Sequence, residues 1–455
     1  MSGWGPMAGS AGSAGSAGSA GSAGSAGSAG SAGSAGSAGS ASPIVGLDAV
    51  MGMPGYSGFV PNTMLAHSLT LSRDLLLSGS AFNGLTNVPN PKWGSSEPAS
   101  NADRIFRLQP NVRAMLADLE LGANITFSAN QNPKSTKIEA TSTNSTKMTV
   151  NITRPKSKIF QEQTKIVLSY ADLRAERINE VVSQVVPQTT FWSAVAGLTP
   201  ERHRYTWELL GIGFAFVTKV VMKLKFELDA PRPQEYSRLV QPIVLTPGFQ
   251  AFPSGHATEA YFAAEVISAL NAMACDLKPP KLEDLYGPAE AQSPAAQNAA
   301  SAASAASAAS AASAASAASA ASAEDSKKST APQGSEDVRI LRTQLHRMAY
   351  RIAENRVVAG VHFPVDSIAG QALGVLLAQY FLACCIGKHD IPSDFALFSG
   401  DCPSNIEPIL DKTLSGVGTY NLVMTKKGEL AVKNFSFSCP VVAAIWTKAL
   451  AEVKF

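Results

Sequence analysis

Net charge is nearly absent: 37 Lys and Arg oppose 35 Asp and Glu, leaving +2 at pH 7. That balance excludes a global field that would call for nucleic acid or an anionic membrane surface. A charged partner must therefore be recognised by local placement. Cysteine is scarce as well. The five, Cys275, Cys384, Cys385, Cys402 and Cys439, are odd in number and include no Cys-x-x-Cys pair. This argues against a zinc site or a disulfide framework and fits a reducing compartment. The N-terminus carries no basic segment followed by an apolar core, so a cytoplasmic protein is expected in preference to an exported one. Long apolar runs are also rare. The uncharged stretch 368–387 is long enough for a bilayer span, but it holds Gln371 and Gln379 and no second segment matches it. It reads as a buried core helix, and no membrane span is expected.

Two tracts lack any side chain that could build a core. Residues 8–40 repeat Ala-Gly-Ser, and 301–322 place Ser at every third position among Ala. Their composition assigns them to low complexity outside the fold. About 350 residues remain, enough for one large domain, or for one domain with an N-terminal accessory region. The expected organisation is a low-complexity tail (1–43), an arm and accessory region (44–159), a helical domain in two parts (160–275 and 337–387), an insertion between them (276–336) and a C-terminal region (388–455).

Within the accessory region an amphipathic stretch runs over 101–121, and short strands are expected at 125–127 and 148–152. From residue 160 the helical period dominates. Helices are expected near 160–186, 200–228, 255–274, 337–357 and 366–386, punctuated by Pro231, Pro233, Pro253, Gly360 and Pro364. The tail is mixed, with strands expected at 419–424 and 431–437. The class is mainly α, a helical bundle with its site between helices.

Three blocks carry the chemistry. The first runs from Lys225 to Arg232-Pro233, with Arg232 set between two prolines on a stiff loop. The second, Pro253-Ser254-Gly255-His256, reads as a loop entering a helix. Its free N–H groups and positive dipole end favour an anion, and Gly255 admits close backbone approach. Ser254 either donates its hydroxyl or simply caps the helix. The third is Asn355-Arg356 through His362 to Asp366, where Asp366 either caps the next helix or accepts a hydrogen bond from His362 and sets its tautomer. Each block alone is weak. Together they offer two guanidinium forks, one ammonium, a hydroxyl, a helix N-terminus and two histidines. That set matches a tetrahedral oxyanion, vanadate or phosphate, with roughly two negative charges.

At these residues the chain resembles the superfamily of type-2 phosphatidic acid phosphatases and vanadium-dependent haloperoxidases. The shared pattern is Lys-x6-Arg-Pro, then Pro-Ser-Gly-His, then Ser-Arg-x5-His-x3-Asp, with Asn355 here in place of Ser. The resemblance covers roughly 200–275 and 337–386. It implies a helical bundle of the haloperoxidase and acid phosphatase type. Lys225, Arg232 and Arg356 would bind the oxyanion's free oxygens, helped by Ser254 and the Gly255 N–H. His362, oriented by Asp366, would bond vanadium in a peroxidase or attack phosphorus in a phosphatase. His256 would move protons.

Integral lipid phosphatases need several spans, and the family's soluble acid phosphatases are compact and exported. The long region before Lys225 is closer to the haloperoxidases, and Phe249 lies where those enzymes place an aromatic near the halide, although a packing role suits it equally. The expectation is a vanadate-dependent haloperoxidase acting on hydrogen peroxide and halide. The alternatives are an acid phosphatase acting on phosphomonoesters and a non-catalytic oxyanion-binding protein. No nucleic acid partner is expected, and homo-oligomerisation is left open.

Overall fold

Helix predominates in the computed structural model, at 66% against 11% strand among its well-placed residues. It describes residues 101–132, 134–185, 188–279, 334–397, 423–424 and 432–453, together with residue 71. The Ala-Gly-Ser and Ser-Ala-Ala tracts, the rest of the arm 44–100 and the body of the insertion lie outside these residues. So do 398–422 and 425–431 of the tail, and with them most of the strand expected at 419–424.

Two helices, α1 (Asn101–Arg107) and α2 (Pro110–Ala123), open the described chain and lead into a meander of β1 (Ile125–Gln131), β2 (Lys134–Thr141) and β3 (Lys147–Thr153). Along β2 and β3 every second residue is buried, the period of a sheet with one face on the core. The two expected strands are therefore longer, and β2 joins them. The expected helix over 160–186 is two helices. A 3₁₀ turn at Tyr170–Leu173 separates α3 (Ser157–Ser169) from α4 (Arg174–Ser183). Then come α5 (Thr189–Ala196), α6 (Arg204–Leu228) and the single turn α7 (Pro233–Tyr236).

The centre of the molecule is α8 (Gly255–Ala274). Sixteen of its twenty residues are buried, which is the pattern of a helix apolar on all sides. Packed against it are α6, α9 (Ser335–Val358), α10 (Pro364–Ile386) and α11 (Pro440–Val453). Among the described residues α10 alone is long and apolar enough to cross a membrane, and its most apolar window is wholly buried in the bundle. Close approach of α10 to the start of α8 needs glycine. A Cβ on Gly370 would lie 2.7 Å from the Ser254 carbonyl oxygen, and one on Gly374 would collide with that of Thr258.

After α10 the chain forms β4 (His389–Pro392) and β5 (Asp394–Leu397). β5 adds to β3 in parallel and pairs with β6 (Val423–Met424), completing the order β1-β2-β3-β5-β6. β7 (Val432–Phe435), inside the strand expected at 431–437, pairs with β4 instead. The sheet thus ties the accessory region to the tail.

Candidate functional site

The site forms where the C-terminal end of α6 meets the N-terminal ends of α8 and α10. Ser254 caps α8, its Oγ accepting from the Ala257 N–H at 3.4 Å, and its own N–H donates to the Asp366 carbonyl at 2.9 Å. Two helix N-termini, each a partial positive charge, are thereby joined directly. The Phe252–Pro253 peptide leading in is cis.

Lys225 lies in the last turn of α6. Its ammonium donates to the carbonyls of Gln250 at 2.9 Å and Ala251 at 2.7 Å. Arg232 follows α6 on the proline-flanked loop. Its N–H is held by the Glu235 carboxylate at 2.7 Å, its Nε donates to the Phe249 carbonyl at 2.9 Å and its Nη1 to that of Val361 at 2.8 Å. The Phe249 ring lies under both cations, 5.4 Å from the Lys225 Nζ and 5.1 Å from the Arg232 Cζ. Arg356 sits in the last turn of α9, and its Nη2 donates to the Val181 carbonyl at 2.8 Å. A turn through Gly360, with φ of 80°, carries the chain to His362.

His362 Nδ1 lies 2.9 Å from Asp366 Oδ2, which also accepts the Phe363 N–H at 2.9 Å. Asp366 does both things the sequence allowed: it caps α10 at the helix's third position and holds the histidine. With Nδ1–H assigned from this network, Nε2 carries the lone pair, 3.3 Å from Arg232 Nη1.

Lys225, Arg232, Ser254, His256, Arg356, His362 and Asp366 are all buried, none more than 4% exposed, while Gly255 is half-buried. Burying so much positive charge has consistent consequences. Desolvation, then the Arg232 guanidinium, pushes Lys225 well down. Desolvation also lowers Arg232 and Arg356 to about 10 each. His256 falls to about 3 through burial and then the nearby Arg356, against hydrogen bonds to the backbone of Val185 and Gln184. His362 is driven well below its ordinary value by burial, then by Arg232, Lys225, His256 and Arg356. Burial pushes the Asp366 carboxyl up. Both imidazoles are neutral at pH 7, and the surrounding cations repel one another in the absence of an anion.

Several polar atoms confirm that this cluster is unsatisfied by protein alone. Arg232 Nη2, Arg356 Nε, His256 Nε2 and Asp366 Oδ1 are buried without a hydrogen-bond partner. Such atoms are rare in folded proteins and costly. Two are guanidinium nitrogens that can donate to oxyanion oxygens, His256 Nε2 offers a lone pair that can accept a proton, and His362 Nε2 adds a lone pair for a central atom. A tetrahedral oxyanion, vanadate included, fits this set. Among the described residues no group of three or more His, Cys, Asp and Glu forms a cation site.

Two buried residues beside the cluster carry no motif. Gln184 is 171 positions from Asn355, and its amide oxygen accepts from the Asn355 amide at 2.9 Å. Nothing in the local sequence marks it. Glu259, one turn into α8, accepts from the Thr218 hydroxyl at 2.9 Å and interacts with Lys225. Here a signal was present, since Glu259 and Glu265 are the two acids inside a mostly apolar helix. Compared with known proteins, the chain matches no family model and no curated protein.

Proposed function

We propose that the chain is a vanadate-dependent haloperoxidase with a bundle of the haloperoxidase and acid phosphatase type, using hydrogen peroxide to oxidise halide to a hypohalous species. The observation that carries the reading is the set of unpartnered buried nitrogens on Arg232, Arg356 and His256 around an Asp366-oriented His362. Bound vanadate would supply a Lewis-acidic centre that activates peroxide toward halide.

The protein's own residues account for the rest. Lys225, Arg232 and Arg356 neutralise the anion in a site of low dielectric, where preorganised charges act strongly. Asp366 keeps the proton on His362 Nδ1, leaving on Nε2 the lone pair that would hold the central atom. His256, neutral at pH 7 with Nε2 free, accepts a proton from hydrogen peroxide as it arrives. The Phe249 ring covers the two cations from one side and limits water there.

A second reading rests on the same His362–Asp366 pair. An oriented neutral imidazole is also the nucleophile that a phosphohistidine mechanism requires, which would make the chain a phosphomonoester hydrolase. The deciding experiment is to load the purified protein with orthovanadate and measure bromide and iodide oxidation by hydrogen peroxide, beside phosphomonoester hydrolysis without vanadate. Halide oxidation supports the first reading. Hydrolysis alone establishes the second, and oxyanion binding with neither turnover establishes a non-catalytic binder.

A further inference from the structure

The cluster divides into two halves by what holds each. Lys225, Arg232 and His362 are fixed by the 249–251 loop, Val361 and Asp366. Arg356 and His256 are fixed by a different element, the end of α4 and the two residues after it. Gln184 is the centre of that second half and is fully buried.

Its side-chain oxygen accepts from Asn355 Nδ2 at 2.9 Å and from Arg356 Nη2 at 3.4 Å. Its side-chain nitrogen donates to Glu180 Oε1 at 3.1 Å, and Glu180 is itself clamped by Arg351 at 2.8 Å. Its backbone, with that of Val185, bonds the His256 ring. One turn back, the Val181 carbonyl takes the other bond from Arg356 Nη2. The amide has no freedom to flip. Its nitrogen faces a carboxylate and its oxygen faces two donors, so Glu180 and Arg351 fix which end meets the arginine.

We propose that Gln184 is a positioning residue that sets Arg356 and His256 together: its side chain aims the guanidinium, and the peptide units at 184 and 185 aim the imidazole. Asn355 belongs to the device, because its amide fills the second donor position on Gln184 Oε1. Without this acceptor Arg356 keeps only the Val181 bond, about which its fork is free to turn. The inference rests on the oxyanion reading of the site, and the test separates the two.

Orthovanadate binding is measured by calorimetry, with no turnover required, on the full-length protein, Gln184→Leu, Gln184→Glu and Arg232→Ala. Gln184→Leu keeps the volume and removes the acceptor, and affinity should fall about tenfold, in the range for groups that orient ligands. Gln184→Glu places a buried carboxyl against both Arg356 and Glu180; burial and the Glu180 charge hold it above the ordinary carboxyl value, and once it ionises it competes with the anion for Arg356. Its deficit relative to the parent protein at the same pH should grow from about pH 5 to about pH 8. A merely structural role would show this pH dependence in thermal unfolding, because Glu180 lies beside the new carboxyl, and would leave the affinity of the folded protein unchanged.

Parent-like affinity in both Gln184 variants, with Arg232→Ala weakened, overturns the role of Gln184 and leaves the site standing. Parent-like affinity in Arg232→Ala overturns the oxyanion reading itself. Where Gln184→Leu fails to fold, Gln184→Glu decides alone: parent affinity across that pH range overturns the proposal.

Discussion

Asp366 serves two partners with one oxygen: Oδ2 lies 2.9 Å from His362 Nδ1 and accepts the Phe363 N–H at 2.9 Å, while Oδ1 is buried without a partner. Asp366→Ala should therefore show two separable losses. The helix cap costs about 1 kcal/mol of stability, read by denaturant unfolding. Freeing the imidazole weakens oxyanion binding about 10–100-fold, read by calorimetry. Lost stability with unchanged affinity would make Asp366 a cap alone.

The cations should divide by burial. Arg232→Ala or Arg356→Ala removes a guanidinium from a site closed to water and should cost about 2–5 kcal/mol of vanadate binding. Lys219 and Lys223 share α6 with Lys225 but pair at the surface, with Asp118 and Glu227 respectively. Truncating either should cost less than about 1 kcal/mol. Equal losses at all four positions would describe a diffuse basic surface, with no pocket. Equilibrium dialysis with orthovanadate distinguishes the two patterns.

Glu259 gives the ligand-free protein a pH signature. Burial pushes its carboxyl up to about 8, against the Thr218 hydrogen bond and the Lys225 charge. Between its ordinary value and 8 the folded state keeps a proton that the unfolded chain has lost, so this group's contribution to stability falls as pH rises. His256, held at about 3, contributes the opposite slope below its ordinary value, and comparing Glu259→Gln with the parent cancels it. The variant's stability advantage should grow by more than about 1 kcal/mol from pH 5 to pH 8, since each tenfold difference in proton affinity between the folded and unfolded states is worth about 1.4 kcal/mol. Thermal unfolding at the two pH values checks this, and a pH-independent difference contradicts it.

Much of the site was legible because its parts are local. Lys225 with Arg232, Ser254 with His256, and Arg356 with His362 and Asp366 each fall within one short segment, and the structure brings the three segments together. Gln184 was not legible, because its partners Asn355 and Arg356 lie far along the chain and a lone Gln in a helix end carries no local signal. The fold shows the same division. Core helices such as α8 and α10 declared themselves by apolar content. β2, Lys-Ser-Thr-Lys-Ile-Glu-Ala-Thr, is too polar to do so and is a strand because β1 and β3 flank it. α11 opens Pro-Val-Val and mixes strand-favouring Val and Ile with helix-favouring Ala, so its local preference is divided. Its buried Val441, Val442, Ile445, Trp446, Ala449 and Val453 reveal a helical face once α6, α8 and α10 are in place.

The two histidines carry different assignments, and one measurement separates them. His362 is assigned the bond to the central atom, and His256 only proton transfer. Orthovanadate binding by calorimetry should be lost in His362→Ala and remain measurable in His256→Ala, whose turnover falls by about 10²–10⁴. Binding abolished in His256→Ala and retained in His362→Ala would contradict the assignment.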